Sequence, residues 1–164
     1  MNHLWSPWRM TYIESNKNDE CVFCTAISEK DDEKNLIVFR GRLVFVILNR
    51  YPYTSGHLMV VPYRHTASLN DLDAETRAEL MDVTNQAAEV LKLAYNPQGF
   101  NLGMNIGEVA GAGIADHIHM HVVPRWGGDT NFMSSLADTR VLPETLADTY
   151  ARVSSAWQEK FNRE

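Results

Sequence analysis

Asp116-His117-Ile118-His119-Met120-His121-Val122-Val123-Pro124-Arg125-Trp126 is the stretch whose reading decides the fold. Imidazoles stand at every second position, and apolar residues fill the gaps. Period-two alternation is a strand signature. On a regular strand His117, His119 and His121 point to one face, with neighbours about 7 Å apart, while Ile118, Met120 and Val122 point to the other. A core gains nothing from such a row, because each buried imidazole needs a partner or costs free energy. A lone histidine is most often a satisfied core or surface residue. Three in register mark a site.

Upstream of this strand, Gly107 to Asp116 carries Gly107, Gly111 and Gly113 and reads as a flexible loop, fed by a strand over Gly99 to Ile106. Asp73 to Ala94 is the clearest helix: Leu80, Ala87, Leu91 and Ala94 keep one face apolar, Asp73 suits the N-cap and Glu75 the first turn. Asn96-Pro97 ends it. Further back, Leu36 to Phe39 and Leu43 to Leu48 form a hairpin across Arg40-Gly41-Arg42. Asn49 to Gly56 is a loop, and His57 to Val61 is a third strand ended by Pro62. Downstream, Gly127-Gly128-Asp129 breaks the chain. A last helix is expected from near Pro143, with Leu146, Tyr150, Val153 and Trp157 on one side. The connections are too short for repeated βαβ units, so the class is α+β, antiparallel strands around one long helix.

The 164 residues, 45% hydrophobic and 22% charged, suit one domain with a real core. A formal charge of −6 and a pI near 5.5 lack the basic excess of a duplex-binding surface, so no nucleic-acid partner is expected. Acidity leaves room for a nucleotide, since a few local donors can hold phosphates. No stretch has the length of a membrane span, and Met1 to Ile13 does not read as a secretory signal, so the cytoplasm is expected. Trp5, Pro7, Trp8 and Tyr12 read as an arm packed on the body or a second subunit, with a substrate lid as the alternative.

Two chemistries use a histidine row. One is a catalytic three-histidine metal site. The other is nucleophilic attack on phosphorus by a neutral imidazole, with a neighbouring ring donating to phosphate oxygens. Gly111-Ala112-Gly113 favours the second, because glycines let backbone N–H groups approach an anion. Taken alone, the same glycines also fit a plain strand connection.

His117-Ile118-His119-Met120-His121-Val122-Val123 resembles the His-φ-His-φ-His-φ-φ signature of the histidine triad (HIT) superfamily of nucleotide hydrolases and transferases. Asn49 through Gly56-His57-Leu58-Met59-Val60-Val61-Pro62, and Asn105 with the glycine loop, look like that family too. The flanks Leu4 to Met10, Tyr51-Pro52-Tyr53 and Val123 to Phe132 resemble its actinobacterial diadenosine tetraphosphate phosphorylase branch. The resemblance implies a five-stranded antiparallel sheet with one long helix and a C-terminal helix. It divides residues 1–164, a single HIT domain, into an arm (1–20), a core (21–126) and an extension (127–164). It implies a homodimer and a catalytic pair, His119 and His121. His119 is the nucleophile that takes up a nucleotide, with its ring oriented by the His117 carbonyl, and His121 holds phosphate oxygens. His57 lies beside them, Asn49 binds ribose hydroxyls, and Asn105, Gly111, Ala112 and Gly113 contact phosphate. Trp126 contacts substrate or is equally a dimer or core aromatic. One departure bears on the acceptor: the phosphorylase branch has a hydroxyl residue four positions before the first triad histidine, where this chain has Gly113. Water therefore competes with phosphate as acceptor, so a dinucleoside polyphosphate or nucleoside phosphoramidate hydrolase is the second reading, and a nucleotide binder with little turnover is a third.

Cys21-Val22-Phe23-Cys24 has zinc-knuckle spacing. The redox alternative belongs near a thioredoxin-like βαβ pattern, which this chain lacks. His65 and His117 are candidate further ligands, and many bacterial triad proteins have zinc on such a set. The resemblance thus implies one structural zinc per chain on Cys21, Cys24, His65 and His117, and no organic cofactor. If His65 is only a surface residue, the cysteines are free thiols.

Overall fold

A computed structural model of the chain describes residues 20–129 and 142–161. The expected arm before Glu20, residues 130–141 and residues 162–164 lie outside the described residues. Five strands form one antiparallel sheet: β1 (Ile37–Arg40), β2 (Val44–Leu48), β3 (Leu58–Pro62), β4 (Gly99–Gly103) and β5 (Met120–Arg125), in spatial order β1-β2-β3-β5-β4. The expected antiparallel α+β architecture is borne out. β5 lies inside the sheet, with His121 opposite Met59 of β3 and Gly103 of β4. β4 forms an edge.

Alternation along the paired strands puts Phe45, Ile47, Met59, Val61, His121 and Val123 on one face. A short helix α1 (Val22–Ser28) covers part of it, with the Phe23 ring edge-on to Phe45 at 6.5 Å. The helix α3 (Ala74–Tyr95) crosses β2, β3 and β5. Covered from both sides, β2 and β3 are buried along their whole length. A one-turn helix α2 (Asp32–Asn35) precedes β1, and α4 (Leu146–Phe161) packs on α3 and β1, with Trp157 stacked on Phe39 at 4.6 Å.

The long helix follows from its sequence. Asp73 caps it by accepting from the Thr76 N–H at 2.7 Å, an interaction worth about 1 kcal/mol. Leu80, Val83, Ala87, Val90 and Leu91 are buried at the spacing of one helix face, and each large side chain contributes roughly 1.5–3 kcal/mol. Asn96 ends the helix in the left-handed conformation (φ 46°), its N–H on the Lys92 carbonyl.

The structure moves several expected boundaries. β4 stops at Gly103, because Gly107 takes φ 84° and starts a 3-10 turn. The last helix begins at Leu146, not near Pro143, where the Thr145 hydroxyl accepts from the Asp148 N–H. The cysteine knuckle is helical, with Cys21 at the N-cap of α1. The regular part of the triad strand starts only at Met120. His117 and His119 precede it because other bonds replace the ladder: the His119 side chain takes the His117 carbonyl, and the Ile118 N–H goes to the Thr66 carbonyl at 2.7 Å.

Candidate active site and metal cluster

The loop from Asn49 to Gly56 delivers His57 to the sheet. Gly56 holds φ 79°, and a Cβ there would lie 3.0 Å from side-chain carbons of Leu91 and Tyr95, so the turn needs glycine. His57 is fully buried just ahead of β3, on the face that carries His121. Their rings meet, with His57 Nε2 2.9 Å from His121 Nδ1.

The hydrogen-bond network assigns the tautomers. The Tyr53 N–H donates to His57 Nδ1 at 3.1 Å. Asn49 Oδ1 accepts from the Tyr51 N–H, which turns its Nδ2 toward the same His57 nitrogen at 3.3 Å. With donors converging on Nδ1, neutral His57 carries its proton on Nε2 and donates to His121 Nδ1. Neutral His121 then carries its proton on Nε2. His119 Nδ1–H donates to the His117 carbonyl at 2.8 Å, so its Nε2 keeps a lone pair.

Burial favours the neutral forms of His119 and His121. It pushes His119 below the ordinary imidazole range, against the opposing effect of the His117 carbonyl. His121 is pushed down to about 4, first by burial and then by the His119 charge. The Phe23 ring, 5.1 Å from His119, supplies part of that apolar wall.

Among the described residues, two cavities flank the imidazoles. One, about 290 Å³, runs from His121 along β4 and β5 and is also lined by Tyr53, Asn101, Asn105 and Arg125. The other, about 160 Å³, includes Asn49, His57, Ser55 and Glu144. The structure thus brings Asn49 to His57 and Asn105 to the cleft of His121. The glycine loop is held from within: the Gly111 N–H goes to the Glu108 carbonyl, the Ala112 N–H to the Gly107 carbonyl, and Asn105 Nδ2 reaches the Gly111 carbonyl. Gly113 is exposed. The Trp126 ring lies edge-on to Tyr95 at 6.4 Å and does not line either of these cavities.

Cys21, Cys24, His65 and His117 bring one donor atom each to within 4.8 Å of one another. Cys21 Sγ and His117 Nδ1 are 3.3 Å apart, as are Cys24 Sγ and His65 Nδ1, and Cys24 Sγ is 3.7 Å from His117 Nδ1. Sulfur and nitrogen on a tetrahedral zinc stand about 3.5 Å apart, so the donor set fits that metal. The other nitrogen of His117, Nε2, meets the Pro62 carbonyl at 2.8 Å, the outer contact that fixes a metal-binding imidazole. Burial and the neighbouring Cys21 sulfur both push the Cys24 thiol up, which a cation between the sulfurs would reverse.

Sequence reasoning missed the Tyr53 N–H, because a main-chain donor has no residue signature. It also missed Phe23 as the wall of His119. The signal there was an apolar residue between two candidate ligands.

Residues 30–128 match the family model described as HIT domain. The chain is 43% identical over 166 aligned positions to the AP-4-A phosphorylase of Mycobacterium tuberculosis, covering 96% of this chain and 85% of that protein. Among solved structures, a Zn-bound histidine triad family protein from Mycobacterium smegmatis superposes with a TM-score of 0.71 at 29% identity, covering 88% of this chain and 98% of that one. A histidine triad nucleotide-binding protein from Sulfolobus tokodaii gives 0.68 at 27% identity, covering 85% and 93%.

Proposed function

The chain belongs to the HIT domain family and is an enzyme of that family; on that premise we propose that it transfers a nucleotidyl group from a dinucleoside polyphosphate through a covalent nucleotidyl-His119. The observation that carries this reading is the 2.8 Å bond from His119 Nδ1–H to the His117 carbonyl, which leaves Nε2 bare on a buried neutral ring. The lone pair of Nε2 attacks the α-phosphorus, the P–N bond forms, and the bridging P–O bond breaks as the second nucleotide departs with the electron pair. An oxygen of inorganic phosphate or water then attacks phosphorus, the P–N pair returns to Nε2, and the proton of an attacking water passes to solvent. His121 offers its Nε2–H to a phosphate oxygen throughout, held by His57.

Asn49 is assigned to the ribose of the nucleotide, His57 to holding His121 beside the phosphates, Asn105 with Gly111, Ala112 and Gly113 to the phosphates, and Trp126 to substrate or to a dimer or core contact. Gly111 and Ala112 act there by shaping the loop, since their N–H groups are engaged within it. Cys21, Cys24, His65 and His117 would hold one zinc per chain. A closed Cys₂His₂ set supplies no catalytic position, and the ion would tie α1 to the segment carrying His119. We place all 164 residues in one domain, with the cytoplasm as its compartment. We further propose a homodimer across the open edge of β4, where Leu102 is half exposed. Among the described residues no helix is long and apolar enough to cross a membrane.

The M. tuberculosis relative favours phosphate as acceptor. Gly113, which offers no hydroxyl, favours water. Incubation with diadenosine tetraphosphate, with and without phosphate, separates the readings. A phosphorylase gives ADP and ATP only when phosphate is present. A hydrolase gives AMP and ATP regardless. A protein that binds the dinucleotide and forms no product is a binding protein, and the enzyme proposal fails.

A further inference from the structure

The cleft along β4 and β5 reaches well past the phosphate-handling ring. Pairing of Gly103 with His121, Asn101 with Val123 and Gly99 with Arg125 lines these positions along one face. From His121 to Arg125 the strand covers about 13 Å, too long for a single phosphate to bridge. A Cβ at Gly103 or Gly99 would meet nothing within 4 Å, so the floor is open.

At the far end Arg125 is fixed in place. Its Nε and Nη2 donate to both oxygens of Asp129 at 2.5 and 2.8 Å, and its Nη1 donates to Asn101 Oδ1 at 2.5 Å. The Asp129 side chain is only 11% exposed, and it also accepts from the Trp126 N–H. Arg125 and Asp129 are the ionic side chains of this wall and they neutralise each other, so the far end recognises a bare phosphate poorly. It suits a neutral body with hydroxyls and ring nitrogens, next to the amide of Asn101 and the ring of Tyr53.

We propose that this cleft is a second nucleoside subsite. It receives the ribose and base of the departing nucleotide, and Asn101 with the Arg125–Asp129 pair sets the preference for dinucleoside over mononucleoside polyphosphates. The inference rests on the nucleotidyl-transfer reading above.

The test compares diadenosine tetraphosphate with adenosine 5′-tetraphosphate, which has the same phosphate length and no distal nucleoside. The wild-type chain should show a kcat/KM at least about tenfold higher for the dinucleotide, and the ratio should fall to about one in Asn101→Ala and in Arg125→Lys. Asn101 is exposed, so its truncation leaves the core intact and the ratio readable even where an Arg125 variant folds poorly. A wild-type ratio near one, or a ratio that survives both substitutions, overturns the subsite. A raised KM for inorganic phosphate with the ratio unchanged assigns the cleft to the acceptor and also overturns it. If wild type consumes neither compound, the transfer reading falls, and this inference with it.

Discussion

His117 contributes to both centres: its carbonyl accepts from His119 Nδ1 at 2.8 Å, while its own Nδ1 stands among the two cysteine sulfurs and faces 3.3 Å from Cys21. The position of the proposed nucleophile and the integrity of the candidate metal cluster therefore depend on one residue.

Replacement of His119 by Ala should lower kcat for diadenosine tetraphosphate by at least roughly 10³-fold, with the circular dichroism spectrum unchanged. Rapid quenching of the wild-type reaction should give a protein mass increased by one adenylyl group, absent from the variant. Near-normal turnover in His119→Ala would end the covalent mechanism.

Elemental analysis should find one zinc per chain in wild type and in His119→Ala, and almost none in Cys24→Ser. Chelation should cost about 3 kcal/mol, visible as a Tm lower by roughly 10 °C. Zinc lost from His119→Ala but kept in Cys24→Ser would point instead to metal on the triad.

Acid should destabilise the protein partly through His121. Its folded value, about 4, lies below the ordinary 6.5, so between these values the unfolded chain binds the extra proton. Stability from this ring is complete above about 6.5 and is lost as pH falls toward 4. At pH 5 the loss is about 2 kcal/mol. Urea unfolding of wild type and His121→Gln at pH 7 and pH 5 isolates this contribution, since acid effects on the metal cluster are common to both. An equal decline in the two proteins would contradict the assignment.

Gly56→Ala should destabilise by about 1–3 kcal/mol, since φ 79° and the 3.0 Å approaches to Leu91 and Tyr95 both oppose a methyl group. Because the next residue is His57, kcat should fall as well. Thermal melts and turnover on the same sample check this, and a neutral outcome would show that the turn can relax without moving the imidazole.

Much of the fold was legible. The helix from Asp73 announced itself through its cap and apolar spacing, and the strands through β-branched runs between turn residues. Boundaries were less legible where side chains compete with the ladder, as at His117 to His119, or where backbone conformation alone decides, as at Gly107. The helix after Cys21 was not read at all, because its seven residues are too few for a period to emerge.

The sequence by itself determined the ingredients: an alternating histidine row, a cysteine pair one helical turn apart, and further histidines just before and after the third strand. These are spacings along the chain, and local geometry converts spacing into shared faces. Only the tertiary structure decided which nitrogen of each ring carries the proton. That depends on the Tyr53 N–H and the His117 and Pro62 carbonyls. Main-chain groups are the same at nearly every residue, so folding alone selects which of them an imidazole meets.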